Sequence, residues 1–163
     1  MELIPIVGPN KNTRNISKHR LYSFSDYFIN VIEKDNEIVL SNCNELQFNC
    51  FCDFIENPFT ENLVDTFNVT YELLDYTSSF EIINYIFNNF YLLVFDNLEQ
   101  KRIDKNILFM INISKFEHKL DEIKFSYLIK FFRYSIVSFL RANKSSIPTL
   151  NDNMKTYLLE ILI

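Results

Sequence analysis

The 163-residue chain has one glycine (Gly8), one alanine (Ala142), no tryptophan, two histidines and three cysteines. The scarcity of glycine excludes a recognisable Walker loop or dinucleotide fingerprint, because both need several glycines for backbone amides to reach phosphate. Nucleophilic catalysis by Ser or Cys usually takes a His as base. Here His19 falls in an expected strand. His118 sits among Glu117, Lys119, Asp121 and Glu122, and both histidines read as structural or solvated. Cys43, Cys50 and Cys52 make an odd count with no secretion signal in view, which reads as reduced intracellular thiols. Structural zinc normally uses Cys pairs two to four residues apart. On a helix, the one-residue gap of Cys50-Phe51-Cys52 turns the two thiols roughly 200° apart. We therefore expect no catalytic residue, no cofactor and no metal site.

Cations are scarce relative to anions, with 16 Lys and Arg against 21 Asp and Glu, a net charge of −5. Phosphate backbones are bound by clustered Lys and Arg. No such cluster stands out, so nucleic acid is not an expected partner. No apolar run reaches the 18 residues that a membrane span needs. The start, Met1-Glu2-Leu3-Ile4-Pro5, is not that of a signal peptide. Cytoplasm is the expected compartment, with the nucleus also open. Four glycosylation sequons (at Asn15, Asn68, Asn112 and Asn143) are ascribed to chance in an Asn-rich chain.

The chain is rich in aromatic rings, with 17 Phe and 9 Tyr, and 48% of its residues are apolar. A chain of this length buries roughly 70% of its unfolded surface and needs no cross-links to hold a core. The abundance of Asn, Ile, Lys, Phe and Tyr reads as the drift of a compositionally biased genome.

Leu3 to Val7 reads as a strand, Gly8-Pro9-Asn10 as a turn and Asn15 to Leu21 as the return strand. A helix follows over Ser23 to Ile32 with Ser23 as its cap. Glu37 to Leu40 is a short β-branched strand. Helices follow with Phe48, Phe51, Phe54 and Ile55 on one face, then with Leu63, Phe67, Tyr71 and Leu74, then with Phe80, Ile83, Phe87, Phe90 and Val94. Asn44 or Ser41 is placed to cap the first of these, and Pro58 to end it. The charged stretch Leu98 to Lys105 is the expected boundary between a domain at 1–97 and an extension at 98–163. In the extension, 107–113 is ambiguous between strand and helix. Ile123 to Arg141 is a long amphipathic helix with Leu128, Phe131, Phe132, Ile136 and Phe139 on one side. A last helix runs from about Asn151 to Leu162. The expected fold class is α+β: a small three-stranded sheet packed on a helical cluster, followed by an all-α C-terminal extension.

The stretch from Lys18-His19-Arg20-Leu21 to Ser25-Asp26-Tyr27-Phe28 resembles the BTB/POZ family. So do the strand at Glu37 to Leu40, the helix at Phe48 to Asn57, and Asn62 followed by Leu63 to Leu74 with Leu73-Leu74-Asp75-Tyr76 at its end. The order of elements is that of the BTB/POZ fold and its relatives, elongin C and the adaptor subunit that carries F-box proteins. The resemblance covers about residues 1–97. It departs in a shorter strand-rich start, in lacking the usual Ala-Asp pair, and in having Asn57-Pro58 where a glycine is typical. Lys105-Asn106-Ile107-Leu108 resembles the opening of the helical extension that follows some BTB domains.

The resemblance implies a non-enzymatic protein-interaction module, either a ubiquitin-ligase adaptor binding a cullin or substrate receptor, or a homodimeric scaffold. A hydrophobic-x-Glu motif helps some members bind a cullin, and Phe54-Ile55-Glu56 fits it, which makes Phe54 and Glu56 candidate partner-binding residues. The apolar tail makes Leu158, Leu159 and Leu162 three more, for a small subunit buried against a neighbour in a larger assembly. The alternative reading is an all-helical viral or parasite effector. It would bind a partner helix in a groove lined by residues such as Phe80, Phe87 and Phe90, and it predicts no sheet at all.

Overall fold

The computed structural model describes residues 1–90, 103–144 and 150–163. The chain divides into two compact units, Met1–Ile86 and Phe87–Ile163. The expected boundary at 97/98 lies outside the described residues, as does Val94 of the expected third amphipathic helix. The described residues are mostly helical, with one three-stranded mixed sheet, an α+β composition.

In the first unit, β1 (Leu3–Val7) pairs antiparallel with β2 (Thr13–Ser17) and parallel with β3 (Ile38–Val39), giving the order β2-β1-β3. Alternation along the strands sends Ile4, Ile6, Ile16 and Ile38 into the core and leaves Leu3 and Val39 exposed. The sheet rules out the all-helical alternative. Phe87 and Phe90, offered as groove residues under that alternative, are themselves buried.

The hairpin connection is a 3-10 turn, Pro9–Lys11, in which Asn10 and Lys11 have φ of 56° and 59°. The return strand stops at Ser17, short of the expected Leu21. The cause is the length of its partner. The Lys18 amide donates to the Glu2 carbonyl at 3.0 Å, and there β1 runs out. Without a neighbour, the chain turns into α1 (Lys18–Phe24), whose Leu21 and Phe24 reach the core at helical spacing.

β3 is short for a related reason. The Leu40 amide donates to the Val7 carbonyl at 2.8 Å. In a parallel ladder the next amide of β1 to face β3 belongs to residue 5, and Pro5 has none.

The helix expected over Ser23 to Ile32 is broken in two. Ser25 is extended (φ −162°, ψ 142°) and caps α2 (Asp26–Asp35), taking the role expected of Ser23. Its hydroxyl accepts from the Tyr27 amide at 3.2 Å and donates to the Thr77 carbonyl at 2.6 Å. The second bond ties the break to the far end of a later helix, which local sequence does not reveal. Asn36, in the left-handed region, closes α2.

α3 (Glu45–Glu56) opens on a capping box. The Asn44 side chain accepts from the Gln47 amide at 2.8 Å, and the Gln47 side chain accepts from the Asn44 amide at 3.0 Å. α3 packs along α4 (Leu63–Tyr76), and α5 (Phe80–Asn88) follows. The α3 face read from sequence is the core face. Phe24 sets its ring edge against those of Phe51 and Phe54, both at 5.7 Å, a favoured arrangement for aromatic pairs.

The second unit holds α6 (Ile103–Ser114), α7 (Glu122–Ala142) and α8 (Asp152–Leu162). The ambiguous stretch 107–113 is helix, with Ile107, Met110 and Ile113 fully buried. α7 starts where the Asp121 carboxylate accepts from the Lys124 amide at 2.9 Å. α8 starts where the Asn151 side chain accepts from Met154 at the same distance. α8 packs on both α6 and α7. No helix among the described residues is long and apolar enough to cross a membrane.

Candidate interaction surface

Phe54 and Glu56 part company at the end of α3. Phe54 is 2% exposed and belongs to the ring cluster with Phe24, so it presents nothing to a partner. Glu56 is at the surface, and its Oε1 lies 3.3 Å from Nη2 of Arg14. The same nitrogen donates to Asp53 at 2.8 Å. This hydrogen bond to Asp53 raises the Arg14 pKa. Arg14 comes from β2, so the ion pairs fasten the hairpin to the last turn of α3. All three groups remain partly in water, which limits each pair to about 1 kcal/mol or less.

A groove of about 580 Å³ opens beside Glu56. His19, Arg20, Ile55, Pro58 and Phe59 are among its lining residues. Phe59 is 78% exposed and meets the edge of Tyr85 at 6.3 Å. Pro58 ends the helix as expected and leaves the next ring outside the core. Phe59 belongs to none of the helix faces read from the sequence. Its signal was an aromatic between Pro58 and a polar stretch, outside every helical period. A second cleft, of about 440 Å³, is more polar and is lined in part by Ser25, Tyr27, Asn30 and Ser78.

The C-terminal residues divide by face. Leu158 is buried with Met154 and Ile161. Leu159, Leu162 and Ile163 are exposed, at 62%, 40% and 99%. Of the three leucines singled out in the tail, one is core and two are surface.

The titratable chemistry is muted. Burial raises the pKa of all three thiols and pushes Cys52 up to about 12. A nucleophilic or metal-binding cysteine needs the opposite shift. Cys43 spends its proton on the Leu40 carbonyl at 3.4 Å. No group of three metal-ligating side chains occurs among the described residues. Both histidines are exposed.

No protein-family model matches the chain, and neither a curated protein nor a solved structure matches it.

Proposed function

We propose that this chain is a non-enzymatic protein-interaction module, BTB/POZ-like over residues 1–97, that works in the cytoplasm or nucleus as an adaptor. The supporting observation is the order strand, strand, helix, helix, strand, then helices, with the three strands joined in one sheet against the aromatic core. The adaptor face is the end of α3. It combines one exposed ring (Phe59), one surface carboxylate (Glu56) and a groove between them that is large enough for partner side chains. A cullin or a substrate receptor of a ubiquitin ligase is the partner this reading names.

A tagged full chain recovered from native cells, read by mass spectrometry, tests it. Stoichiometric recovery of a ligase subunit that is lost with Phe59→Ala or Glu56→Lys is the expected result. Recovery that ignores both substitutions refutes the face. Recovery of no ligase component refutes the adaptor role.

A second reading, a small subunit of a larger assembly, draws support from the exposed Leu159, Leu162 and Ile163. Light scattering on the purified chain separates a homodimeric scaffold from both.

A further inference from the structure

β2 is an edge strand, and the hydrogen bonds on its inner side fix what its outer side offers. The Lys18 amide donates to the Glu2 carbonyl and the Gly8 amide donates to the Asn12 carbonyl. With the register Leu3↔Ser17 to Val7↔Thr13, the hydrogen-bonded pairs within the ladder are Ile4–Ile16 and Ile6–Arg14. The amides of Thr13, Asn15 and Ser17 therefore point away from β1, as do the carbonyls of Thr13 and Asn15. Thr13 and Asn15 are exposed, and these backbone groups have no partner among the described residues.

Open edges are normally blunted by proline, by a bulge or by an outward charge. β2 has no proline and its register is continuous. Its one charged side chain, Arg14, is held by Asp53 and Glu56. The edge is a standing template for another strand.

Charge identifies the occupant. Residues 11–20 hold four cations (Lys11, Arg14, Lys18, Arg20) and no carboxylate, in a chain whose net charge is −5. Arg14 and Lys18 have carboxylate partners. Lys11, just before the strand, and Arg20, just after it, are exposed and have none among the described residues. A second copy is a poor occupant. Antiparallel self-pairing about Asn15 would set Lys11 of one copy beside Lys18 to Arg20 of the other, and like charges opposite one another repel.

We propose that β2 receives an added strand from a partner protein, an extended segment with carboxylates toward both ends. Backbone hydrogen bonds to Thr13, Asn15 and Ser17 supply the affinity, and Lys11 and Arg20 select the charge. This rests on the interaction reading above and gives it a second surface and a class of partner segment.

The probe is a capped peptide, Glu-Glu-Val-Thr-Val-Thr-Val-Glu-Glu. It is compared with a version carrying Lys for each Glu and with one N-methylated at alternate backbone amides. Binding to the full chain is followed by fluorescence anisotropy and amide hydrogen exchange. The acidic peptide binds and protects the Thr13, Asn15 and Ser17 amides. Both control peptides, and the acidic peptide on Asn15→Pro, bind at least about tenfold more weakly. If Asn15→Pro disturbs the fold, seen by circular dichroism, the N-methylated peptide carries the test alone. No binding, binding without protection of those amides, or equal binding of the N-methylated peptide overturns the proposal. A Lys11→Glu/Arg20→Glu chain that binds the acidic peptide unchanged overturns the charge selection. If Asn15→Pro still recovers the native partner in full while the peptide fails to bind, the edge is refuted and the interaction reading stands. If neither chain recovers any partner, both fall.

Discussion

Gly8 lies against the ring of Phe48: a methyl group at Gly8 would stand 2.6 Å from Cγ, Cδ1 and Cδ2 of that ring. The backbone at Gly8 is φ −105°, which any residue adopts. Space, and not torsion, demands glycine here. Phe48 is fully buried, so its ring has nowhere to retreat. Gly8→Ala is expected to destabilise the chain by about 1–3 kcal/mol through overpacking. The check is a double-mutant cycle in urea with Phe48→Leu. The pair should cost less than the two singles together, because the smaller side chain relieves the clash.

Asn106 gives a prediction of opposite sign. It is fully buried on α6, and neither Nδ2 nor Oδ1 has a hydrogen-bond partner among the described residues. Such a group gives up its hydration and receives nothing back. Asn106→Leu, which keeps the branched shape of the side chain, is expected to stabilise the chain by about 1–2 kcal/mol. A rise in the urea midpoint at constant slope would confirm it. A fall would show that the amide is hydrogen-bonded in the folded chain.

What could be read from the sequence follows from the range of the interaction involved. The face of α3 and its Asn44 cap are local patterns, and they appear as expected. So does the apolar side of the long helix, where Leu128, Phe132 and Ile136 are buried, whereas its Asp121 cap and the Asn151 cap of the last helix are seen only in the structure. The errors lie where a distant residue decides. Whether 18–21 is strand or helix depends on where β1 ends, at Glu2. The break at Ser25 depends on the Thr77 carbonyl, 52 positions away. Gly8 was legible as a turn residue, but its contact with Phe48 was not. Phe54-Ile55-Glu56 matched a motif by spacing. Burial of Phe54, and an ion pair from Glu56 to an arginine on another element, then separated the motif's members. The open side of β2 follows only from its place at the end of the strand order, which no pattern within residues 13–17 reveals.

Alkaline pH should weaken the fold. Burial pushes the Cys52 thiol from its ordinary 9.0 up to about 12. Burial likewise pushes Tyr27 and Tyr157 from 10.0 up to about 12, with Tyr76 adding to the effect at Tyr27. The unfolded chain loses these protons first. Between the ordinary values and about 12 it therefore binds fewer protons than the folded chain, and stability falls as pH rises. The contribution is intact below about pH 9 and lost progressively toward 12. Urea midpoints measured across that window should decline. Cys52→Val should flatten the earliest part of the decline, because the thiol is the first of the three to ionise when unfolded. A midpoint independent of pH would contradict the burial of these groups.

The last helix separates core from interface by one residue. Leu158 is 6% exposed and Leu159 is 62% exposed, so their truncations should diverge. Leu158→Ala removes packed methyl groups beside Met154 and Ile161 and is expected to cost about 2–4 kcal/mol. Leu159→Ala is expected to stay within about 0.5 kcal/mol of the parent chain. Equal costs would mean that α8 turns a face other than that of Met154, Leu158 and Ile161 to the core. The same contrast tests the assembly reading, because an exposed apolar pair three residues apart has no stability role within this chain. A Leu159→Glu/Leu162→Glu chain should unfold at nearly the parent midpoint. If another subunit covers this face, the substituted chain should also elute from native cells at a lower mass. An unchanged mass would leave Leu159 and Leu162 as scattered surface leucines, which soluble folds carry without penalty.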